Sequence, residues 1–317
     1  MGRRGNTRSD IDGILLVDKP EGITSAAAVA VVKKGLGGPK VGHLGTLDPF
    51  ASGLLPMCLG EGTKIAPYLN TADKAYTGTV RLGHTTDTLD ITGTELSCDD
   101  PPDVGGLDLE ALAAHFTGDL EQVPPAYSAI KKDGVRMYEL ARKGEAPELE
   151  PRPVTIHGLR LAAAGPGLLD LEMTCSKGTY VRSLARDIGE HLGCGAVLAA
   201  LRRTKFGAFG LDAAVQLDRV RAPGEGADAD ARAALLAPAA ALTDLSALPV
   251  SAADGRALRS GQQAALLSLG APAAVGQTAK VVDPDGGLVA VVKEQHGRWR
   301  LDRLFQSPPV ARHDRAC

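Results

Sequence analysis

The chain has 317 residues, with 35 Lys and Arg against 38 Asp and Glu, for a formal net charge of −3. At roughly 100–200 residues per domain, that length predicts one large domain and one small one. A hydrophobic content of 44% suffices for real cores, and 38 Gly with 20 Pro fall short of a low-complexity composition. The acidic balance gives no hint of a nucleic-acid partner, so any such partner has to be argued from local patches. Aromatic residues make up only 3%, so a Tyr near a motif carries extra weight.

Behind the basic start Met1–Asp10, the apolar run Ile14–Val17 is too short for a secretory core of about 7–15 residues. No segment approaches the roughly 18 apolar residues of a membrane span. The five cysteines, Cys58, Cys98, Cys175, Cys194 and Cys317, form no C-x-x-C pair and have no His at zinc spacing. They predict reduced, mostly core thiols in a cytoplasmic protein.

Gly13–Val17 reads as a short buried strand ended by Asp18-Lys19-Pro20. Thr24-Ser25 offers an N-cap for a helix to about Leu36, stopped by Gly37-Gly38-Pro39. Tyr76–Leu82 alternates like a strand, and Asp108–Phe116 is an amphipathic helix. Val154–Leu161 and Leu168–Cys175 read as strands joined through Ala164–Gly167, and Thr179–Leu192 as a helix capped by Thr179. The mixture has no regular βαβ period, so the class is α+β. Arg221–Ala241 is rich in Ala, Gly and Asp and reads as a linker. Ala279–Val282, Leu288–Val292 and Arg298–Leu301 read as strands of a small β domain, with Asp283–Gly287 as a turn. Ser307–Cys317 reads as a frayed tail. The expected boundaries are residues 10–215, a linker at 216–245, a small domain at 246–306 and a tail at 307–317.

Two stretches are locally basic. Lys177–Lys205 holds six basic residues against two acidic, and Lys131–Lys143 five against two. Each suits a solvated face, and each also suits a phosphate footprint. The densest unusual segment is Gly42-His43-Leu44-Gly45-Thr46-Leu47-Asp48-Pro49, followed by Gly53-Leu54-Leu55-Pro56. Its glycines permit an irregular backbone that approaches a ligand closely. Pro49 pushes Asp48 out of helix and towards a loop. A carboxylate nucleophile has to stay ionised and be held still, which an Arg fork achieves. The same residues also fit an ordinary Asp-Pro turn.

In Ser176–Asp187, Arg182 and Arg186 share a helix face and repel unless an anion sits beside them. That anion is Asp48 or a phosphate, although Arg186 can equally pair with Glu190. Tyr76, at a strand start after Asp73-Lys74-Ala75, offers a stacking surface for a base and a phenol that moves a proton; core packing explains it as well. P-loop, dinucleotide-binding, zincin and nucleophile-elbow patterns are all missing from the sequence.

Together these residues resemble the bacterial tRNA pseudouridine-55 synthase family (TruB). The resemblance is an ordered series: Leu16–Ser25, Gly42–Pro56, Asp73–Tyr76 with Arg81-Leu82-Gly83, Gln122–Lys131, Cys175–Arg182, and Gly193–Ala196 through Leu201–Arg203. It covers about residues 10–210 and weakens from about 245. It implies a pseudouridine-synthase fold, mainly antiparallel and flanked by helices, with a small C-terminal PUA-like RNA-binding barrel. The implied reaction detaches the uracil of uridine 55 in the tRNA T loop, turns it and rejoins it through C5. No cofactor or metal, no membrane and no obligatory protein partner are implied, and the chain is expected to act as a monomer.

Position by position, the resemblance makes Asp48 the nucleophile and Arg182 its ion-pair partner. Tyr76 becomes the stacking residue and a candidate for the final proton transfer. His43 helps hold the target base out, and Tyr180 and Leu201 line the base pocket. Lys19 with Pro20 supports the site, and Lys131 ends a motif assigned to substrate binding. Phe50 and Ser52 replace commoner Leu and Thr, and Pro67 falls in a stretch the family usually makes helical. A second reading, motivated by the basic patches and the second domain, is a tRNA-binding or tRNA-folding chaperone. A guide-RNA-dependent relative of the dyskerin type is disfavoured by the short basic N-terminus.

Overall fold

The apolar residues of Gly13–Lys19 do not alternate with polar ones, and the strand they form (β1) is buried along its whole length. Ile14 and Leu16 enter one hydrophobic cluster and Leu15 and Val17 another. A strand covered on both faces needs no polar side. The computed structural model describes residues 11–128, 131–132, 135–136, 149–221 and 227–306. Expectations for Met1–Asp10 and for the tail fall outside them.

After β1 come helix α1 (Ser25–Gly35), β2 (Val41–His43), β3 (Ser52–Leu59), β4 (Lys74–Leu82) and the hairpin β5 (His84–Thr86) and β6 (Glu95–Cys98). Helix α2 (Leu109–His115), β7 (Gly118–Gln122), β8 (Arg152–Gly165), β9 (Leu168–Cys175), α3 (Val181–His191), β10 (Ala196–Phe206) and the short β11 (Val215–Gln216) follow. The main sheet runs β11-β1-β3-β10-β4-β9-β8-β7. It is antiparallel except for β11 beside β1 and the contact of β10 with β3. The expected α+β class holds.

Both strands at that parallel contact were missing from the sequence reading. β3 is buried at all eight positions, with Leu55, Met57 and Leu59 on one face and Leu54 and Cys58 on the other. β10 carries bulges at Leu198/Ala200 and Arg203/Lys205, which break its alternation. Gly53 sits where the two strands cross, with φ +100°; a Cβ there would lie 2.4 Å from the Arg203 carbonyl oxygen. Only glycine fits.

The α1 expectation holds: the Thr24 side chain accepts from Ala27 N. The cap of α3 is a correction. Tyr180 is the N-cap and makes no side-chain capping bond; Thr179 Oγ1 instead donates to Ser176 O at 3.1 Å. Val181, Leu184, Ala185 and Ile188 are the buried stripe of α3. Pro67 occupies the first turn of a short helix, Ala66–Leu69, where its missing N–H costs nothing. Cys58 and Cys175 are buried, Cys194 half-buried and Cys98 exposed.

Short helices lie between the main sheet and the C-terminal strands, and Leu236 pairs with Ile14 at the edge of the main sheet. The C-terminal unit is β12 (Ser246–Pro249), α4 (Ala252–Arg259), β13 (Thr278–Val282), β14 (Leu288–Gln295) and β15 (Arg298–Leu304). The expected turn is present: Asp283 Oδ1 accepts from Gly287 N. The expected barrel is not. The four strands form an open sheet in the order β12-β13-β14-β15, so β12 and β15 are edges rather than neighbours.

This unit packs on the main sheet. Phe305, Leu288 and Val291 share a cluster with Ile14, Leu54 and Ile65. Lys64 Nζ donates to Leu304 O at 2.9 Å, and the Tyr68 hydroxyl donates to Asp302. Phe305 is 1% exposed at that seam. Phe305→Ala is expected to cost about 3–5 kcal/mol, read as a lower urea midpoint; a midpoint within error of the wild type would contradict this packing.

Candidate active site

Asp48 lies where the sequence placed it, on the irregular loop between β2 and β3. The backbone of that loop is tied down at several points. Leu44 N donates to Pro56 O at 2.9 Å, and Gly45 O accepts from Arg203 Nη2 at 2.9 Å. Ser25 Oγ takes the Leu47 N–H and gives its own proton to Leu47 O, both at 2.9 Å. Pro49 O accepts from Gly22 N at 2.8 Å, and Ala51 N returns to Asp48 O at 3.2 Å. A loop fixed in this way presents its carboxylate with little entropy left to lose.

Arg182, on the first turn of α3, meets that carboxylate, with Nε 2.9 Å from Asp48 Oδ2. Its Nη1 donates to Thr88 O at 2.7 Å and Nη2 to Tyr127 O at 2.9 Å. Asp90 Oδ2 stands 3.7 Å from Nη1. The Arg182 side chain is 6% exposed and that of Asp48 35%. The clamp is therefore sealed, and the carboxylate it holds is only partly exposed. Arg186 instead pairs with Asp187 at 2.6 Å and lies 3.7 Å from Glu190.

The remaining predicted residues divide. Tyr76 and Leu201 are buried on the facing strands β4 and β10, with Leu201 opposite Gly78, which has no side chain to block it. Tyr180 stands just before α3, and its N–H goes to Gln122 Oε1 at 2.8 Å. Lys19 is fully buried, and its ammonium donates to Pro20 O at 2.8 Å, Ile23 O at 2.9 Å and Pro49 O at 3.5 Å. His43, on β2 opposite Met57, has a buried Nδ1 with no partner among the described residues. The backbone of Lys131 pairs with Arg136, but its side chain lies outside the described part.

Two family models cover this arrangement. Residues 33–181 match the N-terminal domain of TruB family pseudouridylate synthases, and residues 182–242 match the C-terminal domain of tRNA pseudouridylate synthase B. The chain belongs to the TruB family. Among its relatives, tRNA pseudouridine synthase B of Cupriavidus metallidurans is 44% identical over 94% of this chain and 96% of its own. The enzyme of that name from Chromohalobacter salexigens is 45% identical over 98% of each. Among solved structures, the archaeal box H/ACA sRNP Nop10-Cbf5 complex matches with a TM-score of 0.68 at 22% identity, over 94% of this chain and 87% of that one. That likeness establishes the pseudouridine-synthase fold.

The electrostatics of this TruB site follow from burial. Desolvation pushes the Asp48 carboxyl above its ordinary range; Arg182 opposes the shift and Asp90 adds to it. Burial brings the Lys19 ammonium down to about 8, against the pull of Asp48. Burial raises the Tyr76 phenol, with Arg203 the main opposing charge. Burial likewise raises Tyr180 and lowers His43.

Several site residues escaped the sequence reading. Thr88 and Asp90 belong to no motif, and they reach Arg182 because Leu89, with φ +62°, turns the chain between them. Ile91 N and Leu198 N fasten that turn to the β10 bulge. Ser25 and Arg203 fell within the resemblance series, but neither was given a role at the site. Among the described residues, one mixed donor group, His84, Glu95 and Cys98, could hold a metal ion, and it lies on the β5–β6 hairpin.

Two outcomes are expected. Ser25→Ala unpairs Leu47 N and O, so it should lower stability by about 1–3 kcal/mol and reduce turnover more than tRNA affinity; unchanged turnover would show that the loop does not depend on this bond. Asp48 has to be ionised to act and its proton is held more tightly than usual, so activity should rise with pH on an acid limb centred above about 3.9, the ordinary Asp value. A limb at or below that value in a pH–rate profile would contradict the placement.

Proposed function

We propose that this TruB enzyme converts uridine 55 of the tRNA T loop to pseudouridine, with Asp48, Arg182 and Tyr76 as its catalytic residues. The observation that carries the reading is the buried guanidinium of Arg182, locked by Thr88 O and Tyr127 O, holding the partly exposed Asp48 carboxylate at 2.9 Å. A stacked base is out of reach, so the target is flipped out at a cost of a few kcal/mol. Stacking on Tyr76 returns about 1–3 kcal/mol. His43, Tyr180 and Leu201 shape the space the base enters, Lys19 braces the loop from behind, and Lys131 belongs to a basic patch that meets RNA. Asp48 acts on the flipped nucleotide as the N1–C1′ bond breaks. The uracil turns, C5 bonds to C1′, C5 gives up its proton and N1 gains one, so the product is an isomer and the reaction needs no cofactor.

The domain reading is residues 10–215 for catalysis, 216–245 for connection and 246–306 for RNA contact. On the open C-terminal sheet, the edge strand β15 exposes Arg298, Arg300 and Arg303. Such an edge suits phosphate contacts that position the substrate without reading its sequence. Every residue assigned to the site comes from one chain, which fits action as a monomer on tRNA.

The reading is tested with an unmodified tRNA transcript carrying tritium at uracil C5. Purified protein alone should release tritium stoichiometrically from the T-loop uridine. Asp48→Asn should abolish release while tRNA affinity stays within about tenfold, because the carboxylate's role is chemical. Substantial turnover by that variant would sink the reading. Replacing Arg298 and Arg300 together with Ala should weaken tRNA binding and flatten its salt dependence, by a log–log slope of about 0.7–0.9 for each phosphate no longer neutralised. An unchanged slope would remove the C-terminal edge from the interface.

A further inference from the structure

Among the described residues, Arg203 is the largest side chain with no solvent exposure, and the loop bonds use only part of it. Nε donates to Leu54 O at 2.7 Å and Nη2 to Gly45 O at 2.9 Å. Nη1 is buried and meets no oxygen at full hydrogen-bond geometry, but the Arg203 and Tyr76 side chains lie close enough to interact directly. A poorly bonded nitrogen on a buried charge is costly, and an apolar side chain of similar volume would avoid that cost. The charge therefore needs a use that the two carbonyls do not supply.

The surroundings point that use at Tyr76. Arg203 on β10 is in register with Tyr76 on β4, a pairing that puts the two Cβ atoms about 4.5–5.5 Å apart on one face of the sheet. Each is the strongest charged influence on the other. The guanidinium cannot easily swing away. The Phe206 ring lies 5.4 Å beneath it, and a Cβ at Gly45 would stand only 3.2 Å from Nη1. The loop that carries Asp48 thus also walls in the guanidinium beside Tyr76.

We propose that Arg203 is a positioning residue for Tyr76, using its Nη1 to support negative charge on the phenolic oxygen so that Tyr76 accepts the C5 proton. In that step the C5–H bond breaks, the proton passes to the phenolate oxygen, the C–H electron pair forms the C5–C6 double bond, and the C6–N1 π pair moves onto N1, which takes up a proton. The phenol then returns its proton to solvent. The proposal rests on the reading of Tyr76 as the proton acceptor, and the experiment separates the two.

The protein is labelled with 3-fluorotyrosine, and the Tyr76 fluorine resonance is assigned by its loss in Tyr76→Phe. Its titration is compared between the wild type and Arg203→Lys, next to single-turnover tritium release from C5 across pH. The expected result for Arg203→Lys is tRNA affinity within threefold, release slowed at least tenfold at neutral pH, and both the phenol titration and the release profile moved to higher pH. A phenol that titrates at the same pH in both proteins overturns the proposal. A moved titration with an unmoved release profile leaves the pairing intact but removes Tyr76 as proton acceptor, and the proposal falls with it. If Arg203→Lys does not fold, Tyr76→Phe, which removes only a hydroxyl, carries the decision. The guanidinium nitrogen resonances of Arg203 should shift between the wild type and that variant; unchanged resonances overturn the proposal.

Discussion

The Asp48 site is organised by one constraint: a carboxylate has to remain ionised while desolvation works against it. Burial alone raises the Asp48 carboxyl, and Asp90 close by raises it further. Arg182 is the counterweight, and it acts only if it cannot move. The fold supplies that immobility from three directions. The Thr86–Thr94 turn brings Thr88 O, the chain after β7 brings Tyr127 O, and the buried stripe of α3 fixes the helix that carries Arg182.

The same economy governs the other buried cations. Lys19 and Arg203 are both shut away from solvent, and both spend their donors on backbone carbonyls of the segments that frame Asp48. A backbone carbonyl satisfies a donor without adding a second charge to be desolvated. Lys19 joins the turn after β1 to Pro49, and Arg203 joins β10 to Gly45 and Leu54. The nucleophile's loop thus belongs mechanically to the sheet, although it contains no regular structure. The two-sided burial of β1 and β3 follows from the same layout, since one face backs helices α1 and α3 and the other receives the C-terminal sheet.

The sequence was legible where a local rule decides the outcome. Thr24 caps α1, the strands around Gly165–Gly167 form a hairpin, and Asp48 before Pro49 lies in a loop, each for a reason contained within a few residues. It was illegible where long-range geometry decides. β10 is interrupted by two bulges, so its apolar positions follow no single period. β3 reads as a Gly- and Pro-containing motif because its side chains are buried on both faces. The Thr179 hydroxyl looked like a cap and was drawn back to Ser176. The C-terminal strands were readable one by one, but their closure was not, because edge pairing depends on strand order rather than on any residue. Asp48, Arg182 and Tyr76 stood out through the family resemblance; their supports Asp90, Thr88 and Ser25 did not, because each acts through a backbone group or through a charge distant in sequence.

The choice of Arg at position 182 follows from this geometry. One planar fork meets Asp48 through Nε, Thr88 O through Nη1 and Tyr127 O through Nη2, all within 2.9 Å. A Lys ammonium is a point charge on a flexible stem and cannot span acceptors fixed that far apart. It would reach the carboxylate only by leaving two part-buried carbonyls unpaired. Position 19 shows the opposite case. There the acceptors Pro20 O and Ile23 O lie on one tight turn, within reach of a single ammonium. Which cation occupies each position is thus set by how widely the fold spreads the acceptors it has to satisfy.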